Sequence, residues 1–519
     1  MRRHVIAVVA LGAFTSSCAA SESPISADEE FEAIEDGKAD NYYSNVAAEF
    51  EVSGTVDITF DPPESANDPA LRADMIGRRT TAVALYLTAY VTAKLERFFT
   101  NTSYGGFSAM ARNHTLAAGD VVEVSPGLVR VAFTIDIGGP KNLLAALPPL
   151  PPLPDAPPDV FQFELAMPKG AVADPENVAR GAIRNFNAAT HTGELERLRL
   201  SVVAEEMPAD AWPQTAAMME DGTFDITLYY GHDYNTPRSD LREAREAYDE
   251  LVSFRGFTSP VANFEALTAE SGAFTKSMTA NGKAVAVEVR IFHSDMFKDD
   301  RKAGHDKALA ELAARDVFFY NGHAGPWYGL YLSDDKPNDV AYAELATIAL
   351  PDKQQIFVAQ GCQTYSQYAD VLYANPAKSE ENLDVVTTVN FSYGVGTMGL
   401  LRNLLKTSAE GRHELVTFGA IVRELNAEYW NDQKDVVYGV MGIGGNPQVH
   451  PYGVSAKIGE ACARVSDCGD PNGNVCVAPP GAADKVCGVV ALERAECPAG
   501  SLLRPLAQNG IIKRWGCLP

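Results

Sequence analysis

The sequence predicts an α/β protein with a mostly parallel sheet, preceded by a β-rich domain and followed by a small disulfide-rich module. Three observations carry this. From Thr223 onward, short apolar runs alternate with helical patterns, the pattern of parallel strands covered by helices on both faces. Residues 49–60, 121–124 and 128–137 alternate apolar and polar at strand period, which suits a half-buried sheet. Six of the eight cysteines fall in the last 58 residues, a density typical of a stapled module in an exported protein.

In chain order, the first segment has the form of an export signal. Arg2 and Arg3 precede an apolar run from Val5 to Phe14, too short to span a bilayer. Thr15-Ser16-Ser17-Cys18 then resembles a bacterial lipoprotein cleavage site, with Thr where Leu is usual. Lipidation at Cys18 is expected, with ordinary cleavage near Ala20 as the alternative. The destination is export, to the cell surface or outer membrane by a lipid anchor, or secretion. Residues 1–18 are assigned to the signal and residues 19–45, acidic and polar, to a disordered tether. Residues 46–147 are assigned to the β-rich domain, within which 80–99 fit either helix or strands. Residues 148–222 are a Pro-rich linker and mixed region.

The α/β domain is assigned to residues 223–455. Its expected strands are Phe224–Tyr230, Ala284–Phe292, Val317–Tyr320, Ile356–Ala359 and Val385–Phe391. Its expected helices are Ser239–Val252, Ala303–Ala314, Val340–Ile348, Met398–Lys406 and Leu415–Tyr429. Residues 456–519 hold Cys462, Cys468, Cys476, Cys487, Cys497 and Cys517. Three disulfides are expected, and fifteen pairings are open. Zinc is the other reading, but Cys-x-x-Cys pairs are absent and no His follows Cys462. The net charge of −25 argues against a nucleic-acid surface, which needs clustered cations.

Removing Cys18 and the six tail cysteines leaves Cys362 without a partner. Cys362 and His323 each follow an apolar run and a glycine, and Cys362 lies 39 positions after His323. If the two runs are neighbouring parallel strands, an imidazole and a thiol leave the same sheet edge, where chemistry collects in α/β sheets. A paired imidazole can take the thiol's proton and later protonate a leaving amine. The backbone N–H groups of Ala324 and Cys362 are candidate donors to an oxyanion. Trp327, Tyr328, His232 and Asp233 are candidate pocket walls.

Strand, His, small residue, then about forty residues to a strand, small residue and Cys resembles the caspase–gingipain–legumain clan of cysteine peptidases. Gln360-Gly361-Cys362 is similar to the Gln-Ala-Cys of caspases. Tyr230-Gly-His-Asp-Tyr234, Phe391-Ser-Tyr-Gly-Val395 and Gly444-Gly-Asn-Pro447 resemble the gingipain-like branch. The resemblance covers about residues 223–455. It implies a caspase-like sandwich and an exported cysteine endopeptidase, with Cys362 as nucleophile, His323 as general acid/base and protein or peptide substrates. Ala324 departs from the Gly that the clan carries after His. A non-catalytic surface lipoprotein using the same fold as a binding scaffold is the alternative. No cofactor is expected, and a calcium site at Asp334, Asp335 and Asp339 matches no known loop spacing.

Overall fold

The computed structural model describes residues 42–95, 110–153, 157, 160–173, 186–324, 329–334, 339–390, 392, 396–430, 436–453, 457–469, 472–508 and 511–519. The signal, Cys18, most of the tether, Trp327, Tyr328 and Asp335 lie outside them, as does most of the 391–395 segment. Two compact units divide the chain, residues 48–206 in one and residues 42–47 with 207–519 in the other.

The first unit sets a five-stranded sheet against one long helix. Its strands are β1 (Ala47–Thr59), β2 (Met110–Ser125), β3 (Leu128–Pro140), β4 (Phe161–Pro168) and β5 (Leu195–Ala204), in the order β2-β3-β1-β5-β4. Helix α1 (Pro69–Leu95) resolves the ambiguity over residues 80–99 as far as Leu95, and 96–99 lie outside the described residues. It buries Thr80, Val83, Ala84, Leu87, Val91 and Leu95, the spacing of one helical face. Asp68 caps it, its Oδ1 accepting the N–H groups of Ala70 and Leu71 at 2.9 and 3.2 Å. The region 148–222 is more than a linker, because β4 and β5 complete this sheet. Leu198, Leu200 and Val202 point into its core while Arg197 and Arg199 face solvent.

The second unit is built on seven strands. They are β6 (Thr223–Tyr230), β7 (Phe274–Ala280), β8 (Lys283–His293), β9 (Val317–Asn321), β10 (Gln355–Gln360), β11 (Leu383–Thr388) and β12 (Tyr438–Met441), in the order β12-β11-β10-β9-β6-β8-β7. The five from β11 to β8 are parallel, and the two edge strands are antiparallel. Every residue of β9, β10 and β11 is buried, which is why β9 and the middle of β10 are apolar runs, while β11 also buries Asp384, Thr387 and Thr388. Helices α2 (Ser239–Asp249), α3 (Arg301–Ala314), α4 (Gly396–Leu404) and α5 (Phe418–Trp430) flank the sheet. The helix expected over Val340–Ile348 shrinks to Tyr342–Leu345. The arrangement is consistent with a general caspase-like α/β layout.

Strand β7 was not expected. It pairs with β8 through Asn281-Gly282, both at positive φ (47° and 75°), with Ala280 opposite Lys283. Two central residues at positive φ define the hairpin turn that Asn-Gly favours.

The tether reading is corrected at its end. Tyr42, Tyr43 and Ser44 are buried, and Tyr43 forms an antiparallel bridge with Val440. Its N–H donates to the Val440 carbonyl at 2.8 Å, and the Val440 N–H donates back at 2.9 Å. Ser44 Oγ donates to the Tyr438 carbonyl. These contacts satisfy an edge that would otherwise present unpaired backbone groups.

The tail forms β13 (Asn474–Val477), β14 (Val486–Val490), β15 (Leu502–Gln508) and β16 (Ile511–Leu518), in the order β13-β14-β16-β15. Three disulfides staple it, Cys462–Cys476, Cys468–Cys487 and Cys497–Cys517. It is not a separate body. Val490 belongs to the core of the α/β sheet, and Val449 bridges to Ala491.

Candidate functional site

The register of the two central strands decides where the candidate residues go. Gln360 on β10 pairs with Asn321 on β9, and His323 and Cys362 each lie two positions further on. Their loops therefore leave the same carboxyl edge side by side. Gly322 N–H donates to the Gln360 carbonyl at 3.1 Å, and the buried Ala324 packs its methyl against Gly361. A Cβ at Gly361 would lie 2.5 Å from the Ala324 Cβ and 2.9 Å from the Gly322 carbonyl oxygen. Gly361→Ala is therefore expected to destabilise the unit by about 1–3 kcal/mol through overpacking, measurable as a lower urea midpoint at unchanged slope.

The His323 loop is fixed from beneath. The buried Tyr320 hydroxyl donates to the His323 carbonyl at 2.6 Å and accepts the Tyr331 N–H at 2.8 Å. From the side, His323 Nε2 meets Asp233 Oδ1 at 3.0 Å. The Tyr234 ring lies flat on the imidazole, with centroids 4.0 Å apart and planes 9° apart. Tyr331 closes the cluster edge-on at 5.8 Å. Tyr234 itself is 66% exposed.

Asp233 was expected to be a pocket wall and is instead the partner of His323. Its Oδ2 accepts from the Ser239 N–H at 2.9 Å and the Ser239 hydroxyl at 2.5 Å. Its Oδ1 also accepts from the Asn235 N–H at 2.9 Å and side-chain amide at 2.7 Å. Burial alone would raise this carboxyl's pKa. The donors from Ser239, Asn235 and His323 outweigh it and hold the group well below the usual carboxylate range. His232 meets the far side of the cluster, its ring 6.2 Å from that of Tyr331, and burial, then Arg238, lower its pKa. Arg238 also clamps Asp240 and Asp295.

Cys362 is half-buried and outside the three disulfides, and its Sγ faces the Ser392 carbonyl at 3.8 Å. The next residue, Gln363, sits in the left-handed region (φ 60°) with its side-chain amide wholly buried and neither polar atom hydrogen-bonded. Such a group costs about 1–3 kcal/mol.

The expectation of a cysteine endopeptidase is corrected by these facts. Six cysteines are consumed in disulfides. Among the described residues the ring of His323 hydrogen-bonds Asp233 and not Cys362. The topology brings the two loops together, but among the described residues no hydrogen bond joins the imidazole to the thiol.

Among the described residues the acidic loop gathers no cluster of calcium ligands. Asp334 pairs with Arg301 at 2.7 Å, and Asp339 Oδ1 accepts the N–H groups of Leu332 and Ser333. Among the described residues, carboxylates with ligand-like spacing meet in the first unit, at Glu51, Asp136 and Glu205. The cluster of Cys462, Cys468 and Cys487 belongs to two disulfides.

Sequence reasoning missed Tyr234, Ser239, Tyr320 and Tyr331. The one available signal was Tyr230-Gly-His-Asp-Tyr234, a polar-aromatic stretch at a strand's carboxyl end. Comparison with known proteins finds no matching family model, no matching curated protein and no matching solved structure.

Proposed function

We propose that this chain is an exported, non-catalytic binding protein that presents the carboxyl rim of a caspase-like α/β sheet to a protein or peptide partner. One observation carries the reading. The imidazole expected to activate a thiol is bonded to Asp233 and covered by Tyr234, so this part of the rim is an imidazole–carboxylate pair topped by an exposed aromatic ring. Such a ring on a rigid base is a common anchor for a partner chain, because it gives large contact area at small conformational cost. The strand order of the second unit supports kinship with the caspase–gingipain–legumain architecture, kept here as a scaffold. The apolar run after Arg2 and Arg3 supports export, and Cys18 supports lipid anchoring.

The test is a displayed peptide library screened against the wild-type chain, Tyr234→Ala and Cys362→Ala, with parallel assay of library cleavage. Enrichment of a peptide family by the wild type and Cys362→Ala, lost in Tyr234→Ala, supports the scaffold. Hydrolysis by the wild type that vanishes in Cys362→Ala would refute it. So would equal enrichment by Tyr234→Ala.

A further inference from the structure

The β15–β16 hairpin departs from the rest of the molecule in charge and in surface. No Asp or Glu follows Glu496, although the chain as a whole carries −25. Arg504 and Arg514 are exposed, and neither is joined to a carboxylate among the described residues. Three exposed arginines elsewhere are paired, Arg130 with Asp57, Arg197 with Glu164 and Arg245 with Glu265. The register sets Pro505 opposite Trp515 and Ala507 opposite Ile512, so these four share one face. Nearer the Cys497–Cys517 bridge that face is filled by Leu503 and Cys517. Farther out it is open, with Trp515 44% and Ile512 56% exposed. Leu502, Arg504, Leu506 and Arg514 occupy the other face.

We propose that this hairpin docks end-on at an anionic phospholipid bilayer, so that Trp515 and Ile512 on one face enter the boundary between headgroups and acyl chains while Arg504 and Arg514 on the other face extend their long side chains to lipid phosphates. An indole suits that boundary because one edge is apolar and the other donates a hydrogen bond. Cations near an anionic surface add attraction that falls off within a Debye length. A soluble polyanion would engage the arginines and leave Trp515 and Ile512 in water, so the pairing of the two chemistries favours a bilayer. The Cys497–Cys517 bridge holds the base of the hairpin, so little order is lost on docking. The proposal does not depend on the rim of the α/β sheet.

The experiment is co-sedimentation of the full chain with vesicles at low ionic strength. One set is phosphatidylcholine with phosphatidylglycerol, and the other is phosphatidylcholine alone. Partition at least tenfold stronger to the anionic set is expected. Arg504→Glu with Arg514→Glu should remove that preference, and Trp515→Ala should weaken binding severalfold. Arg504→Lys with Arg514→Lys should retain it, and thermal unfolding of each variant reports its fold. Absence of binding to anionic vesicles would overturn the proposal. Undiminished binding by the charge-reversed variant would do the same. Binding to heparin without vesicle binding would assign the hairpin to a soluble polyanion. A dimer in sedimentation velocity that Trp515→Ala abolishes, without vesicle binding, would assign it to a second copy of the chain.

Discussion

Asp233→Ala is expected to lower the stability of the α/β unit by about 3–5 kcal/mol, the range for removing one partner from a buried charged network. The carboxylate accepts from two backbone N–H groups, the Ser239 hydroxyl and the Asn235 amide, and it meets His323. Hydrogen bonds to a charged group contribute about 1.5–3 kcal/mol each, without simple additivity. Removal also frees the imidazole beneath Tyr234, so the ring stack should loosen. Urea unfolding measures the loss, and the His323 ring signals in NMR should broaden or shift. The pH dependence has a definite sign. Because folding depresses the Asp233 pKa, its contribution is complete above about pH 4 and is lost as pH falls toward the lower folded value. Wild type and Asp233→Ala should therefore converge in strong acid. Equal stability at neutral pH would show that the carboxylate does not organise the rim.

A second large effect is expected on acidification. His413 and His450 are buried, and burial pushes their pKa values down to about 4 and about 3. The His413 ring lies between the Leu404 carbonyl at 2.8 Å and the Tyr452 hydroxyl at 3.0 Å. His450 packs on Trp212 at 4.4 Å. The folded state keeps both neutral, while the unfolded chain protonates them below about pH 6.5. Stability is therefore lost as pH falls from about 6.5 toward 4, at about 1.4 kcal/mol per unit per group. His413 alone accounts for about 3 kcal/mol over that range. A buried carboxyl with a raised pKa works in the opposite direction. Glu243 is pushed up to about 7 by burial, so its neutral form favours the fold as pH drops. The clean measurement is thus a difference, comparing the pH dependence of unfolding in the wild type with His413→Gln and His450→Gln combined. The double variant should be flatter between pH 6.5 and 4. Parallel curves would show that neither imidazole is the acid-sensitive element.

How much of this was legible depends on how local the cause was. β9 and β10 could be read because a strand covered on both faces is apolar throughout, and adjacency followed from the α/β alternation. That placed His323 and Cys362 on one rim. It did not fix where the side chains point. That depends on the loop after β6, which brings Asp233 and Tyr234 to the imidazole from 90 positions away in sequence. No short-range pattern encodes such a meeting, so the expectation of a thiol paired with His323 failed there. β7 was legible and overlooked, since Asn281-Gly282 between two alternating runs is a hairpin signal. β4 and β5 were likewise legible and overlooked, since Phe161, Phe163, Leu165 and Met167, and then Leu198, Leu200 and Val202, alternate with polar or small residues. The disulfide pairing was beyond reach, as spacing alone leaves fifteen arrangements.

The bridge between Tyr43 and Val440 constrains the order in which the chain can be completed. Ser44 and Tyr438, which also meet there, are 394 positions apart. During synthesis the Tyr42–Ser44 segment emerges early, and its pairing strand is made only near the end. At about 5–20 residues per second, that is a wait of tens of seconds. Through it, the segment is a short run with two tyrosines and no partner. Its closure is among the most nonlocal contacts in the chain, the kind that slows folding, and a chaperone that holds early segments would act most usefully on this one.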